Sequence, residues 1–538
     1  MLSKQNEKIY LSLLGIVSFI SFFINLGIRP VGLMEARNFI TAREMVLNNN
    51  FLIPTLNGML RFEKPPFPTW LTAIIMKLTE NFTNQWILRI PVGILGIIFI
   101  FLVYYFIKNF TENIFLSFLG SFVASTTFMI IKVGNENTWD MFTYVLIFGS
   151  ITFFIKGLKS SKTREFIFAG IFLALSIMSK GPVGIYGLFI PFLLAHIFIF
   201  GLNEYKKNLK NIIIFILVGI VLALIWPSIV YFKYPDFFLS VLKKEENTWM
   251  NSHKKSLFYY LDYFIYMGIW LFFSISLFLK KWSEERNENK NFSKLIFFWN
   301  ILVIVFLSII KMKKKRYGIP IFMVSSIGVG NICYYYYNLT LDKLKKSDRF
   351  LLNIQNGFIL LLSCGLLGFI FITQYLNKNF QIKYTFLLII FLIPFIYFSF
   401  KNLKDKKEYF LKYITLGSGI FFLIVYSISS SFISKNFVDK QQKFINAKNI
   451  KEFVKASNKE EIYSDSYGIM DVWRVGKEIE DYKNIESLPE KLIFFSDLPE
   501  DVKENYTVLK KDLYFNEVNE LVEIYFLEKN KEPLWKES

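Results

Sequence analysis

The chain has 538 residues, of which 53% are hydrophobic and 19% aromatic, with a mean hydropathy of +0.38. That is too apolar for an ordinary soluble domain and points to a polytopic membrane protein. The net charge of +19 would suggest nucleic acid on a soluble domain. Here Lys and Arg lie mostly in short segments between apolar runs, so membrane orientation explains them and no nucleic-acid partner is expected. Cys333 and Cys364 fall inside apolar runs and read as small hydrophobes, not as a disulfide framework.

The first apolar run, about residues 10–28, follows Lys4 and Lys8 and has no small-x-small cleavage site. It reads as an uncleaved anchor with a cytoplasmic N-terminus. Twelve further runs follow, near 86–107, 113–131, 140–155, 165–179, 181–200, 211–232, 259–279, 295–310, 317–337, 352–374, 384–400 and 411–433. Together they predict an all-α polytopic membrane domain over 1–435 with about thirteen transmembrane helices, ending outside. The predicted inner loops are basic, as the positive-inside rule requires: Lys156 to Arg164, Lys206 to Lys210, Lys280 to Lys290, Lys343 to Arg349 and Lys401 to Lys407.

Two basic stretches fall instead on the predicted outer side, Arg29 to Lys64 and Lys311-Met-Lys-Lys-Lys-Arg316. An anionic ligand at that face is one reason, because lipid phosphates attract Lys and Arg by charge and by hydrogen bonding. The first outer loop, 29–85, has helical spacing over Glu35 to Asn48 and Pro66 to Leu78, separated by the turn signal Pro54-Thr-Leu-Asn-Gly58. It reads as an ordered loop with juxtamembrane helices. From about Asn436 charged residues become frequent, and a soluble extracytoplasmic α/β domain is expected over 436–538. Its elements are a helix over 441–457 and strands over 461–464, 491–495 and 521–527. The sequence has no Walker loop and no Gly-x-Gly-x-x-Gly fingerprint, which argues against a nucleotide-driven pump.

Ionisable groups are nearly absent from the span centres and gather at outer ends, a pattern that suits a surface-facing site better than an ion-coupled transporter. Sugar transfer from a lipid phosphate needs a carboxylate to take the acceptor's proton, cations for the leaving phosphate, and an apolar groove for the lipid tail. Glu35, Glu63 and Asp140 are the candidate carboxylates, and Lys64, Lys180, Lys315 and Arg316 the candidate cations. Aromatic spans would line the groove.

Three blocks, Glu35-Ala-Arg-Asn-Phe-Ile-Thr-Ala-Arg-Glu-Met45, Pro54-Thr-Leu-Asn-Gly58 and Phe62-Glu-Lys-Pro-Pro66 with Trp70-Leu-Thr72, resemble the bacterial aminoarabinose transferases and the related protein mannosyltransferases, which are GT-C glycosyltransferases. The resemblance continues through Asp140, Ser179-Lys-Gly-Pro182, Trp226-Pro227, His253-Lys-Lys-Ser-Leu-Phe-Tyr-Tyr260 and Lys315-Arg-Tyr-Gly-Ile-Pro320, covering about 10–330. It implies many spans, a first outer loop bearing catalytic residues, and an outer C-terminal domain. Where the family often has Asp-Glu, this chain has Met34-Glu35. The base is then Asp140 or Glu35, with Asp140 favoured at the outer end of its span. Lys64, Lys180, Lys315, Arg316 and Tyr317 are expected at the carrier phosphate, with Arg37, Glu63 and His253 in support.

The expected reaction is inverting transfer of a sugar from an undecaprenyl-type phosphate to lipid A or another lipopolysaccharide component at the outer face of the inner membrane. That acceptor rests on the resemblance. A protein O-glycosyltransferase with the same carrier and a lipid-sugar flippase are the alternatives. No cofactor is obligatory; a divalent cation would fall to Glu63 and His253, two ligands where a site needs more.

Overall fold

The computed structural model describes residues 2–377, 382–404, 407, 409–433, 450, 452–457, 460–482, 488–516 and 520–530. It divides into two units. The first comprises Met1–Ile28, Phe62–Leu71 and Arg89–Phe432, and the second Arg29–Arg61, Thr72–Leu88 and Ile433–Ser538.

The first unit is predominantly helical. Among the described residues nine helices are long and apolar enough to cross a membrane, or eleven if each of two bent pairs is one span. The bent pairs are Ile114–Ser125 with Phe128–Gly134, at 65°, and Leu257–Tyr266 with Gly268–Ser276, at 105°. The two predicted runs left over are also helical. One is the Thr163–Lys180 helix, packed between Trp139–Ser160 and Leu209–Lys233, and the other the shorter Ile185–Phe200 segment. The protein is therefore a multi-pass membrane protein.

Lipid offers no hydrophobic drive between helices, so their packing relies on interdigitation and on small residues where backbones meet. Trp299, fully buried, is ringed by Phe106, Phe148 and Phe192 at centroid distances of 5.5, 6.1 and 4.9 Å. The Ile319–Asn338 helix meets Ile114–Ser125 through Gly330, where a β-carbon would stand 2.3 Å from the Gly120 α-carbon. Only glycine permits that crossing.

On the side predicted to be cytoplasmic, Arg286 and Asp348 form a buried ion pair, Nε to Oδ1 at 2.7 Å. Asp348 also accepts from the Tyr336 hydroxyl at 2.9 Å and the Lys345 amide at 3.1 Å, while Arg286 lies 4.0 Å from the Trp282 ring. The cluster ties the segments on either side of the Lys290–Ile309 and Ile319–Asn338 helices to the start of the Lys346–Asn377 helix.

The second unit contains the Leu33–Leu47 helix, a hairpin of β1 (Thr55–Leu56) and β2 (Met59–Leu60), and a five-stranded sheet. The hairpin turns on Asn57 and Gly58, with φ of 54° and 73°, the left-handed pair that an Asn-Gly turn supplies at low cost. Glu44, buried on the helix, accepts from the Thr55 hydroxyl at 2.5 Å and the amides of Asn57 and Gly58 at 2.7 and 3.3 Å. The Asn57 side chain hydrogen-bonds both backbone groups of Ile479, and Phe39 packs on Trp473. The sequence-distant C-terminal segment is thus joined to the first loop.

The sheet comprises β3 (Ile462–Ser464), β4 (Glu480–Asp481), β5 (Lys491–Phe495), β6 (Tyr506–Phe515) and β7 (Leu521–Lys529), in the order β4-β3-β5-β7-β6. β3 runs parallel to its two neighbours, and β7 antiparallel to β5 and β6. β3, β5 and β7 match the predicted strands. β6 escaped prediction because Lys510, Lys511 and Asp512 interrupt its apolar pattern on an exposed edge, where charge and a bulge between Val508 and Lys510 blunt further pairing. The helix predicted over 441–457 lies largely outside the described residues.

Candidate functional site

Asp140 occupies the first turn of the Trp139–Ser160 helix, where the helix dipole favours a carboxylate. It is 3% exposed, an unlikely place for a charge unless cations meet it. Two do. Lys180 Nζ donates to Oδ1 at 2.5 Å, and Arg316 Nε lies 3.5 Å from Oδ2. Lys180 is the last residue of its helix, which Gly181 ends at a φ of 72°, so the ammonium also faces the negative end of a dipole. Arg316 comes from the short turn Lys315–Gly318 that opens the next span. Three elements distant in sequence thus converge on one carboxylate.

Aromatic groups wall this centre. Lys180 Nζ stands 4.0 Å from the Tyr317 ring centroid. Tyr144, one turn below Asp140, and Tyr260 and Tyr317 all interact electrostatically with the Asp140 carboxylate. The Tyr144 hydroxyl is buried without a hydrogen-bond partner among the described residues.

Lys64 belongs to the same neighbourhood, acting electrostatically on Lys180 together with Arg316. Its ammonium pairs with Glu245 at 2.7 Å, and Glu63 faces Lys244 at 3.8 Å. The Glu63-Lys64 dipeptide therefore crosses charges with Lys244-Glu245 on the Pro235–Asn251 helix. Its backbone is held by the following prolines and by Phe62, which packs among Trp226, Tyr234 and Phe237.

Lys315 and Arg316 take different partners. Arg316 faces Asp140, whereas Lys315 pairs with Asp262, donates to the Tyr259 carbonyl at 3.2 Å and lies 4.0 Å from the Tyr259 ring centroid. Glu35 and Arg37 belong to the second unit. There Glu35 caps its own helix, accepting from the Gly32 amide at 3.3 Å, and the Arg37 carbonyl accepts from Arg61 at 2.9 Å.

His253 is exposed and left-handed, with φ of 50°, and its carbonyl accepts from the Lys313 amide at 3.2 Å. Glu63 has one oxygen toward Lys244 and the other buried without a hydrogen-bond partner. No group of three His, Cys, Asp or Glu side chains able to hold a metal ion occurs among the described residues. Among the described residues Glu63 and His253 supply too few donors to fit a metal centre.

Sequence reasoning missed Glu245, the partner of Lys64, and Tyr144. A carboxylate in the run Lys243-Lys-Glu-Glu246 resembles any solvated helix face, and a Tyr inside a span resembles core. The i to i+4 spacing from Asp140 was the available signal for Tyr144. An apolar cavity of 530 Å³, lined by residues such as Phe128, Ile265, Phe358, Leu362, Phe421 and Tyr426, opens among the spans of the first unit.

This architecture is that of the GT-C membrane glycosyltransferases. It aligns with the crystal structure of ArnT from Cupriavidus metallidurans bound to undecaprenyl phosphate at a TM-score of 0.71, over 96% of this chain and 98% of that one, with 14% identity. The Archaeoglobus fulgidus oligosaccharyltransferase is more distant, with a TM-score of 0.51, 12% identity, and 87% and 63% of the two chains covered.

Within that fold class, residues 63–231 match the family Dolichyl-phosphate-mannose-protein mannosyltransferase. The chain is also similar to the undecaprenyl phosphate-alpha-4-amino-4-deoxy-L-arabinose arabinosyl transferases. It is 25% identical to that of Wigglesworthia glossinidia brevipalpis, over 54% of this chain and 53% of the relative. With the Photorhabdus laumondii protein it shares 24%, over 53% and 52%. The chain spans about half the length of the curated relatives it matches. The GT-C resemblance drawn from the first-loop blocks is thereby borne out.

Proposed function

We propose that the protein is an inverting glycosyltransferase, moving a sugar from an undecaprenyl-type phosphate to lipid A or another lipopolysaccharide acceptor at the outer face of the inner membrane. The observation that carries the proposal is the buried carboxylate of Asp140 held between Lys180 and Arg316, with Lys64 in electrostatic reach. Its orientation would set the N-terminus in the cytoplasm and residues 436–538 outside, as an extracytoplasmic domain on a 1–435 membrane domain.

Asp140 is the base and Lys64, Lys180 and Arg316 receive the phosphate, with Tyr317 beside it. Lys315, held by Asp262, and Glu63 and His253 support this set without touching the reacting atoms; Glu35, the alternative base, and Arg37 belong to the second unit. Before the carrier arrives, Asp140 and Glu245 are the counter-ions of the three cations. The phosphodiester monoanion of the donor competes for those cations and releases the Asp140 carboxylate, and the second negative charge appears on the phosphate only as the sugar leaves. Asp140 then takes the proton of the acceptor oxygen, which bonds to the anomeric carbon as the bond from that carbon to the phosphate oxygen breaks. The electron pair leaves on the phosphate, where the cations stabilise it. One displacement inverts the anomeric centre.

Purified protein would be assayed for transfer of labelled sugar from extracted polyprenyl-phosphate-sugars to lipid A. Asp140→Asn should lower turnover about 10²–10⁴-fold while carrier binding persists; Lys64→Ala should weaken carrier binding. Transfer undiminished in Asp140→Asn would refute the assignment. Transfer to a peptide and not to lipid A would move the acceptor to protein, and movement of the carrier without transfer would indicate a flippase.

A further inference from the structure

Tyr144 is fully buried within the Trp139–Ser160 helix, and its hydroxyl has no hydrogen-bond partner among the described residues. Such a group carries the full desolvation cost of an unmade hydrogen bond, whereas a phenylalanine would fill the same space without it. Tyr104, Tyr260 and Tyr336 are also buried, and they donate to Glu7, to the Lys314 carbonyl and to Asp348. One turn above Tyr144, the Asp140 carboxylate has acceptor capacity to spare. Lys180 donates to its Oδ1 at 2.5 Å, but Arg316 Nε stands 3.5 Å from Oδ2, and an ionised carboxylate has about four lone-pair sites.

Side chains on a helix lean toward its N-terminus, so a tyrosine four residues after an aspartate sends its hydroxyl toward the carboxylate. The ring is held from the other side by the π-helical turn Ile185–Phe189, a geometry that recurs at functional sites. A β-carbon on Gly187 in that turn would stand 3.4 Å from both the Tyr144 Cε1 and its hydroxyl oxygen. The groups that act electrostatically on Tyr144 are Asp140, Tyr260 and Tyr317. The Tyr260 hydroxyl is engaged by the Lys314 carbonyl at 3.3 Å. Asp140 is the anion of the three and therefore the strongest acceptor for an O–H donor.

We infer that Tyr144 is a positioning residue for Asp140, whose hydroxyl donates to the carboxylate when Lys180 and Arg316 turn to the carrier phosphate and holds it, still ionised, toward the acceptor. The inference rests on the reading of Asp140 as the base of a transferase. Tyr144 does not meet the phosphate and transfers no proton. Its hydrogen bond is absent while the cations hold Asp140 and forms as they leave, so it offsets part of the cost of separating the carboxylate from them. The hydroxyl thus favours the carrier-bound arrangement over the resting one.

The test measures binding of undecaprenyl phosphate to the full chain in nanodiscs, together with thermal stability, for wild type, Tyr144→Phe, Asp140→Ala and the double variant. Tyr144→Phe keeps the ring against Gly187, and without carrier it should be at least as stable as wild type, because an unbonded buried hydroxyl is gone. It should bind the carrier about tenfold more weakly, the loss of one hydrogen bond to a charged group. In Asp140→Ala protein the same change should leave the affinity as it was, since the acceptor of the bond has been removed. Asp140→Leu, which fills the space, serves in its place if the alanine variant does not fold. This coupling is what a double-mutant cycle isolates, and a merely structural hydroxyl would instead lower stability and affinity alike in both backgrounds. Wild-type affinity in Tyr144→Phe, or an equal loss in both backgrounds, overturns the inference. Sugar transfer by the same proteins reads the transferase assignment separately. Coupling without transfer upholds the bond between Tyr144 and Asp140 and refutes the transferase; no binding of the carrier by wild type overturns both.

Discussion

Asp348→Asn tests the charge cluster on the predicted cytoplasmic side most sharply. The Asp348 side chain is fully buried and the Arg286 side chain is 2% exposed. The substitution keeps volume and shape but leaves the guanidinium charged, without its carboxylate, in a place water scarcely reaches. Breaking a buried pair by neutralising one partner costs about 3–5 kcal/mol, because the remaining charge stays desolvated. The Tyr336 hydroxyl donates to one carboxylate oxygen and the Lys345 amide to the other, so the single amide oxygen of Asn keeps one side in weakened form while its NH2 faces a donor on the other; the stacking of Arg286 on Trp282 is untouched. The uncompensated charge and that lost hydrogen bond together supply the loss. Removing both charges, in Arg286→Met/Asp348→Leu, should recover most of the stability, since well-packed apolar replacements of a buried pair are often neutral or stabilising. Unfolding of the detergent-solubilised protein, followed for both single variants and the double, gives the coupling directly. A loss below about 1 kcal/mol for Asp348→Asn, the range of solvent-screened surface pairs, would refute the view that this pair is desolvated.

Glu245→Gln frees Lys64 from its partly exposed counter-ion, worth about 1 kcal/mol, and should tighten binding of a polyprenyl phosphate about fivefold, measured in the absence of acceptor. Gly330→Ala forces a β-carbon onto the Gly120 backbone and should cost about 1–3 kcal/mol, seen as a lower unfolding temperature. Glu44→Gln removes the charge that gathers Thr55, Asn57 and Gly58; faster amide exchange confined to the hairpin is the expected readout. Tyr514 is 1% exposed, and burial chiefly, with Asp471 adding, raises its hydroxyl pKa. Its contribution to stability is therefore full below the unfolded value of about 10 and is lost above it, by up to about 1.4 kcal/mol per pH unit. Tyr514→Phe should flatten that alkaline decline in the second unit.

The sequence by itself determined the elements. Runs of apolar residues long enough for a bilayer produced the helices where they were expected, because in lipid every backbone group must be satisfied within the segment. The Asn-Gly turn, the first-loop helices Leu33–Leu47 and Phe67–Thr79 and the strands β3, β5 and β7 were legible for the same local reasons. Local pattern also singled out Asp140, Lys64, Lys180 and Arg316, since charges at span ends are conspicuous against an apolar background.

What only the tertiary structure decided is which charge meets which. Asp140, Lys180 and Arg316 are separated by 40 residues or more, and nothing in their neighbours encodes that they converge. Lys315 and Arg316 are adjacent in sequence yet serve different carboxylates, because a tight turn sends consecutive side chains in different directions. The pairing of Lys64 with Glu245 and the joining of the first loop to the C-terminal segment through Asn57 and Ile479 have the same origin. Periodicity reports which face of an element is buried, whereas the partner across that face is fixed by how the helices pack.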